Sequence, residues 1–199
     1  MKTLSITALL VCYFATQSFS QNISIADFIK LRGANSNTLE SKLKVVNIAL
    51  YDQDELNNGN TQYTYKNAAS TDVSNVQWVD YIAAAGNATW NNRIAFQIQN
   101  SALAKKYLGE MKDLGFYFMS KKIIDRQVFE VYSDGVNTIE LITSQSRKVY
   151  DNNMYFNFAL YSNSEYSTAF ANENKKYNIA QIDPKELYAE WAGVPMSEK

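Results

Sequence analysis

Carboxylates are the side chains of this sequence that could carry out acid–base chemistry. The candidates among them, all between residues 101 and 162, are Asp125, Glu130, Asp134, Glu140 and Asp151. Two carboxyl groups flanking a glycosidic bond can act as general acid and as base or nucleophile. The sequence singles out no pair, and acids between apolar neighbours are usually solvated residues of a strand. A small carboxylate-based hydrolase is therefore an alternative function, without an assigned catalytic residue.

Histidine and cysteine chemistry is almost absent. The chain has no histidine, and its one cysteine, Cys12, lies in an apolar N-terminal stretch. This excludes serine–histidine and cysteine–histidine nucleophile systems and zinc sites built from these two residue types. The seven glycines are too far apart for a phosphate-binding loop. We expect no metal and no cofactor, and we favour a protein that is not an enzyme.

Two further motifs are incomplete versions of known sites. Ser41 and Lys44 have the Ser-x-x-Lys spacing of serine/lysine acyl-enzymes, but the Lys-Thr-Gly element of those enzymes is missing. The oxygen-rich run at 52–60 has Leu56 and Asn57 where an EF-hand needs a ligand and a glycine. We expect part of a helix at the first motif and a polar hairpin loop at the second.

The N-terminal residues have the pattern of a secretory signal peptide. Lys2 supplies a charged start, an apolar stretch runs over residues 4–15, and a small-x-small step at 18–20 precedes Gln21. The apolar stretch is shorter than the about 20 residues that span a bilayer. We therefore expect cleavage after residue 20 and an exported protein, in a periplasm or in the medium, that does not span the membrane.

The charge of the chain argues against two classes of partner. The sequence has 19 basic and 20 acidic side chains, and cleavage would remove Lys2 and no acid, which takes the net charge from −1 to −2. Nucleic acids and anionic lipids both favour a basic surface. We expect a protein or glycan partner and no nucleic acid.

Two segments look like copies of one α+β unit. In the first, a helix at 38–46 precedes strand-like segments at 48–51, 62–66, 76–82 and 93–99. In the second, a helix with Ser101 as its N-cap precedes segments at 114–119, 127–133, 138–143 and 154–161. Apolar residues alternate with polar ones in the last segment of each unit. One-sided alternation predicts an antiparallel sheet with helices on its apolar face.

Local matches between the two segments indicate a duplication. Residues 48–51 match 114–117 at a spacing of 66, and Phe96-x-Ile98 matches Phe158-x-Leu160 at a spacing of 62. The spacing changes once, at the loop 67–74, as an indel in a duplicated unit would leave it. This order of units is similar to that of the β-lactamase-inhibitory-protein class of small exported proteins, which pair two such repeats. The similarity lies in the unit order, and no residue is transferred from it.

The predicted fold class is α+β, with two tandem helix-plus-four-strand antiparallel units and short N- and C-terminal helices. A capping box at Ser24 and Asp27 begins the N-terminal helix, and Asp183 begins the C-terminal one. The predicted boundaries are a signal peptide at 1–20, an N-terminal unit at 21–100, a C-terminal unit at 101–162, and a polar segment with the C-terminal helix at 163–199.

Tyrosines mark the candidate binding surface. If the apolar side of the last strand faces the helices, Tyr155 and Tyr161 project from the opposite face, and Tyr117 and Tyr132 join them from neighbouring strands. Tyrosine suits recognition because it offers a large area, few rotors and a polar tip. The sequence therefore predicts an exported non-catalytic protein that binds through an aromatic sheet face. The alternatives are that these tyrosines pack between the two units, that the chain is a hydrolase, or that it is a structural envelope-associated module.

Overall fold

The computed structural model describes residues 23–68, 76–87, 89–124, 127–145 and 154–167. Its helices are α1 (Ile25–Arg32), α2 (Ser36–Val45) and α3 (Ser101–Asp113), with 3-10 turns at Ala85–Asn87 and Thr89–Asn91 and a helical turn at 163–167. Its strands are β1 (Ile48–Glu55), β2 (Thr61–Asn67), β3 (Trp78–Ala83), β4 (Arg93–Ile98), β5 (Tyr117–Ile124), β6 (Gln127–Ser133), β7 (Asn137–Gln145) and β8 (Met154–Ser162). The predicted signal peptide and C-terminal helix lie outside the described residues.

The N-terminal helix α1 begins at the capping box that the sequence predicts. The hydroxyl of Ser24 accepts a hydrogen bond from the backbone N–H of Asp27 at 3.1 Å, and the Asp27 carboxylate accepts from the backbone N–H of Ser24 at 3.4 Å. This exchange satisfies two N–H groups that the first turn leaves without a helical partner. The helix ends at Gly33, as expected, and buries Phe28 and Leu31 against the sheet.

Asparagine caps begin the other two helices earlier than predicted. The side-chain oxygen of Asn35 accepts from the N–H of Thr38 at 2.9 Å, and that of Asn100 accepts from the N–H of Leu103 at 3.0 Å. Asparagine is as good an N-cap as serine. Ser101, the predicted cap, is instead the first helical residue.

All eight strands belong to one antiparallel sheet in the order β1-β2-β3-β4-β8-β7-β6-β5. The antiparallel α+β fold class is thus confirmed. The first four strands and the last four meet at the centre, where β4 pairs with β8, while β1 and β5 form the edges. The polar hairpin loop predicted within 52–60 connects β1 to β2, and a second turn connects β6 to β7; Gly59 and Gly135 adopt φ of 77° and 91° in these two turns. Glycine reaches this left-handed region at little steric cost.

The core lies between the sheet and the helices and crosses the β4–β8 seam. Phe28 of α1 stacks on Phe96 of β4 with ring centroids 3.9 Å apart, and Phe96 stacks on Phe158 of β8 at 5.0 Å. Tyr107 of α3 meets both Phe96 and Phe158 edge-on, at 5.4 and 5.7 Å. The Phe96–Phe158 stack and the two edge contacts of Tyr107 have favourable aromatic geometries. The two halves of the chain therefore share one core.

A polar network ties α1 to both halves of the sheet at one end of the seam. An Arg32 nitrogen donates to the side-chain oxygen of Asn137 at 3.1 Å. Burial lowers the pKa of the Arg32 guanidinium, while Glu165 and Asp134 act in the opposite direction. Glu165 forms an ion pair with Arg93. Charges this close to the interior persist only when opposite charges and hydrogen bonds compensate the loss of water.

Candidate binding face

The register of the sheet assigns each strand residue to one of two faces, because directly opposed residues on antiparallel neighbours point to the same side. The opposed residues Tyr81, Ile94, Leu160 and Ile139 are all buried in the core, so they mark the helix side. The residues that alternate with them form the opposite surface, which we call the outer face. The helical turn at 163–167 packs at one end of this face.

The outer face consists of cross-strand rows. A central row contains Asp52, Thr64, Asp80, Ala95, Ala159, Glu140, Val131 and Ser120. A row beside it contains Lys66, Trp78, Gln97, Asn157, Ile142, Phe129 and Lys122. At the β4–β8 seam the central row has two alanines, Ala95 and Ala159, and the row beside it has two amides, Gln97 and Asn157.

Three of the four predicted binding tyrosines lie on the outer face, but they do not converge. Tyr117 of β5 belongs to a row that reaches Tyr161 of β8 through Ser133 and Thr138. Tyr155 lies on the same side of β8 as Tyr161, and the six residue steps that separate them correspond to about 20 Å of strand. They therefore form no single cluster.

Tyr132 does not lie on the outer face. It stands opposite Ile139, contacts Phe118 edge-on at 5.7 Å and is 8% exposed within the core. Burial raises the pKa of its hydroxyl, and the Glu130 carboxylate, which accepts its hydrogen bond, raises it further. The sequence misplaced Tyr132 because β6 is apolar on both faces, so alternation could not fix the side of each residue.

Tyr161 lies beneath the helical turn at 163–167. Its ring centroid is 5.5 Å from that of Tyr166, and the Arg93 guanidinium lies 5.6 Å from the centroid of Tyr161. Arg93 is held in turn by Glu165. Tyr161 therefore contributes to packing at the end of the sheet as well as to the outer face.

An aromatic–cationic cluster near the β1 edge was not singled out from the sequence. The Lys66 ammonium lies 5.0 Å from the ring centroid of Trp78 and 5.5 Å from that of Tyr51, and the two rings meet edge-on at 5.5 Å. Distances below about 6 Å allow a cation–π attraction. Tyr51 is 65% exposed. We call Tyr51, Lys66 and Trp78 the Lys66 cluster.

Sequence signals for this cluster were only partial. Val79 and Tyr81 alternate inward in β3, so Trp78 could have been placed outside by period alone. Tyr51 could not, because the register of β1 shifts between Leu50 and Asp52. Such a bulge adds a residue and turns the side chains after it to the other side.

Carboxylates adjoin the Lys66 cluster. Asp52 and Asp80 flank Thr64 in the central row, and the Thr64 hydroxyl donates to Asp80 at 2.8 Å. This part of the outer face thus combines flat rings, a cation, hydroxyls and acids. Such a mixture suits hydrogen bonding and ion pairing with a partner surface.

Three of the candidate acids for hydrolysis lie in the described residues: Glu130, Asp134 and Glu140, the last of them in the central row of the outer face. Glu130 pairs with the Lys121 ammonium at 3.0 Å. An oxygen of Asp134 accepts from the backbone N–H groups of Val136 and Asn137, at 2.8 and 2.6 Å, and so shapes the β6–β7 turn. Asp125 and Asp151 lie outside the described residues. Within the part of the chain that the structure describes, no three His, Cys, Asp or Glu side chains are grouped to hold a metal ion.

The serine/lysine motif lies along α2 and has local partners. The Ser41 hydroxyl donates to the Asn37 carbonyl at 2.8 Å, and the Lys44 ammonium pairs with Glu40 at 3.0 Å. Both contacts are ordinary one-turn helix interactions. They place Ser41 and Lys44 in the helix that the sequence predicts.

Comparison with known proteins gives this chain no relative. No protein-family model, curated protein or solved structure matches it. None of the described helices has the length and apolar character needed to cross a membrane. Function is therefore argued from the geometry of the outer face.

Proposed function

We propose that this chain is an exported, non-catalytic binding protein that recognises a partner protein through its outer face, with the Lys66 cluster as the anchor. The observation that supports this is the exposure of Tyr51 beside Trp78 and a cation on a face that α1, α2 and α3 leave uncovered. Aromatic residues are enriched in the centres of protein interfaces and dominate their energetics.

Two features favour a protein over a glycan as the partner. The Lys66 ammonium stands over the rings of Tyr51 and Trp78, the surfaces on which a sugar ring would stack. The sheet is also broad: seven strand spacings give about 34 Å, and with strands about 20 Å long the whole face measures roughly 700 Å². Val131, Ser133 and Thr138, on β6 and β7, are buried. A partner would therefore contact mainly the half of the face that β1–β4 form, which is at the small end of the range of protein interfaces.

A capture experiment tests this function. The purified protein would serve as bait for the exported fraction of its source cells, and wild type would be compared with Tyr51→Ala/Trp78→Ala. Val136→Ala is the matched control, because Val136 is an exposed apolar residue of the β6–β7 turn. We expect the double variant to lose a protein that wild type and the control retain. Equal recovery of proteins by all three baits would contradict the proposal. If the bait bound glycans and no protein, the partner would be a glycan instead.

The proposal extends to the origin of the fold, in which α2 with β1–β4 and α3 with β5–β8 are two copies of one unit. Asn47 (φ 60°) precedes β1 and Gly115 (φ 86°) precedes β5, and both follow a helix end. The core residues Leu39 and Leu43 of α2 correspond to Tyr107 and Met111 of α3. All these pairs are 68 residues apart rather than the 66 that the local sequence match suggests, and so are the bulges of β1, between Leu50 and Asp52, and of β5, between Phe118 and Ser120.

The pairing of β4 with β8 also supports a duplication. Ile94 stands opposite Leu160, Phe96 opposite Phe158, and Ile98 opposite Phe156. With the spacing of 62 that relates the two strands, this register is symmetric about the Phe96–Phe158 pair. Two copies of one strand that meet across a two-fold axis would pair in this way.

A further inference from the structure

The two edge strands carry charges of opposite sign. Within the described residues, β1 and β5 each pair with a single strand. An edge strand presents backbone N–H and C=O groups that can pair with another strand. The edge β1 carries Asp52, Asp54 and Glu55, all of them exposed, whereas β5 carries Lys121 and Lys122.

Opposite signs protect the sheet against only some pairings. Like charges directly opposed across two strands are destabilising. Pairing of β1 with the β1 of another copy would oppose acids, and pairing of β5 with β5 would oppose lysines. Pairing of β1 with β5 would instead oppose acids and lysines. The edge charges therefore disfavour both symmetric contacts and favour the head-to-tail one.

The direction of the strands permits this contact. In an antiparallel sheet of eight strands, the first and last strands run in opposite directions, so β5 of one copy and β1 of the next are antiparallel when the copies are related by translation. The same translation leaves the helices of both copies on the same side. The sheet would then continue from copy to copy.

The faces and the charges of the side chains together select one register. Asp54 lies on the outer face opposite Gln62, and Glu55 lies on the helix side opposite Thr61. Lys122 lies on the outer face opposite Phe129, whereas Lys121 lies on the helix side opposite Glu130. When Asp54 stands opposite Lys122, both side chains lie on the outer face. In the same register Glu55 stands opposite Lys121, and both lie on the helix side. A shift by one residue would bring opposite faces together.

Bulges restrict the contact to the ends of the two strands. The register of β1 shifts between Leu50 and Asp52, and that of β5 shifts between Phe118 and Ser120. The regular segments that follow are 52–55 and 120–124. In the charge-matched register all of 52–55 is opposed to residues 121–124 of the other copy.

Exposed apolar residues border this ladder. Ile123 is 70% exposed and Leu50 is 42% exposed, and both lie on the helix side. In the charge-matched register Ile123 stands opposite Gln53 and diagonal to Leu50, within reach of a cross-strand contact. A short ladder of this kind buries less than a standard interface, so the association is weak and concentration-dependent.

We propose that copies of this chain associate head to tail, with residues 52–55 of β1 adding to residues 121–124 of β5 in the next copy. Asp54 then pairs with Lys122 and Glu55 with Lys121. Lys121 also contacts Glu130, and Lys122 lies over Phe129 at 5.1 Å. Because an ammonium has three donors, each lysine can take a further carboxylate. A contact between two different edges does not close on itself as a two-fold dimer, so it forms chains or rings.

Charge reversal tests the electrostatic part. At about 0.5 mM protein and low salt, we expect sedimentation to show a mean mass above that of the monomer, which falls to the monomer in about 1 M NaCl, where the Debye length is about 3 Å. Lys122→Glu alone and Asp54→Lys alone should each be monomeric. An equal mixture of the two variants should associate again, because each supplies the charge that the other lacks. Monomeric behaviour of wild type, or no recovery in the mixture, would contradict the proposal.

Disulfide trapping tests the register in folded protein. With Cys12→Ser as background, Asp54→Cys/Lys122→Cys places two thiols about 34 Å apart within one chain but directly opposed between copies. Oxidation should give a ladder of covalent oligomers. The matched control is Asp54→Cys/Ile123→Cys, whose thiols point to opposite faces and should link at least ten times less. Equal amounts of covalent oligomers from the two variants, or no covalent oligomers from either, would overturn the proposed register.

Discussion

At the scale of single residues, tyrosine has two different roles in this molecule. Tyr51 lies on the outer face and is 65% exposed, whereas Tyr65 and Tyr81 are almost fully buried. The Tyr81 hydroxyl donates to the Ala34 carbonyl and accepts from the Asn92 amide at 2.7 Å. Composition alone could not separate these roles, because the side of a strand that each ring occupies depends on register and bulges.

Buried tyrosines make the protein sensitive to alkaline pH. Burial raises the pKa of Tyr65 and of Tyr81 to about 12. Since an unfolded tyrosine ionises near pH 10, the folded state binds more protons than the unfolded state between pH 10 and about 12. The free energy of unfolding should therefore be highest below pH 10 and fall as pH rises through this window. Urea titrations at stepped pH measure this, and Tyr65→Phe should make the fall shallower. If the free energy of unfolding of Tyr65→Phe fell with pH as steeply as that of wild type, Tyr65 would not contribute to the alkaline sensitivity and the prediction would be wrong.

Substitution of two tyrosines distinguishes the faces of the sheet. Tyr132 belongs to the core, so Tyr132→Ala should lower the free energy of unfolding by about 3–5 kcal/mol. Tyr155 lies on the outer face, and Tyr155→Ala should cost roughly 1 kcal/mol or less. Urea unfolding of both variants gives the comparison. Equal losses would contradict the placement of Tyr132.

At the scale of elements, alternation predicted the central strands well and the edge of the sheet poorly. Phe156, Phe158 and Leu160 lie on the helix side as their period indicates. The edge strand β1 extends to Glu55, four residues past its apolar segment. Polar edge residues carry no hydrophobic period, so sequence alone ended the strand too early. The Lys66 cluster was missed for a different reason, because the bulge between Leu50 and Asp52 hides which side of β1 Tyr51 occupies.

The N-cap of α3 gives a prediction for the stability of this helix. Asn100 accepts two backbone N–H groups at the start of α3, at 2.9 and 3.0 Å. Asn100→Ala should therefore lower the free energy of unfolding by about 1 kcal/mol. Ser101→Ala, at the position that the sequence favoured, should change it by less than about 0.5 kcal/mol. If urea unfolding shows a larger loss of stability for Ser101→Ala than for Asn100→Ala, the N-cap of α3 is Ser101 and the prediction is wrong.

At the scale of the whole molecule, the β4–β8 seam joins two halves into one sheet. This contact links residues 58 to 66 positions apart in the chain, so no local pattern in the sequence could predict which strands meet. The aromatic stack of Phe28, Phe96 and Phe158 lies on the seam. Antiparallel strands and helix positions were predictable, whereas the single sheet followed from long-range packing.

Shared packing predicts that the two halves unfold together. Phe96→Ala removes a ring that contacts Phe28, Tyr107 and Phe158 and should cost about 3–5 kcal/mol. Hydrogen exchange should show the loss of protection in β6 and β7 as well as in β2 and β3, because one cooperative unit has one stability. Loss confined to the first half would mean that the halves are independent.

The central claim is that a partner protein lies against the outer face. The most direct measurement is photocrosslinking in the exported fraction, with a photoreactive side chain at Gln97, beside Trp78 on the outer face, or at Lys105, on the exposed side of α3. We predict a specific protein adduct from position 97 that disappears when Tyr51 and Trp78 are replaced by alanine, and none from position 105. Adducts from position 105 alone would contradict the claim.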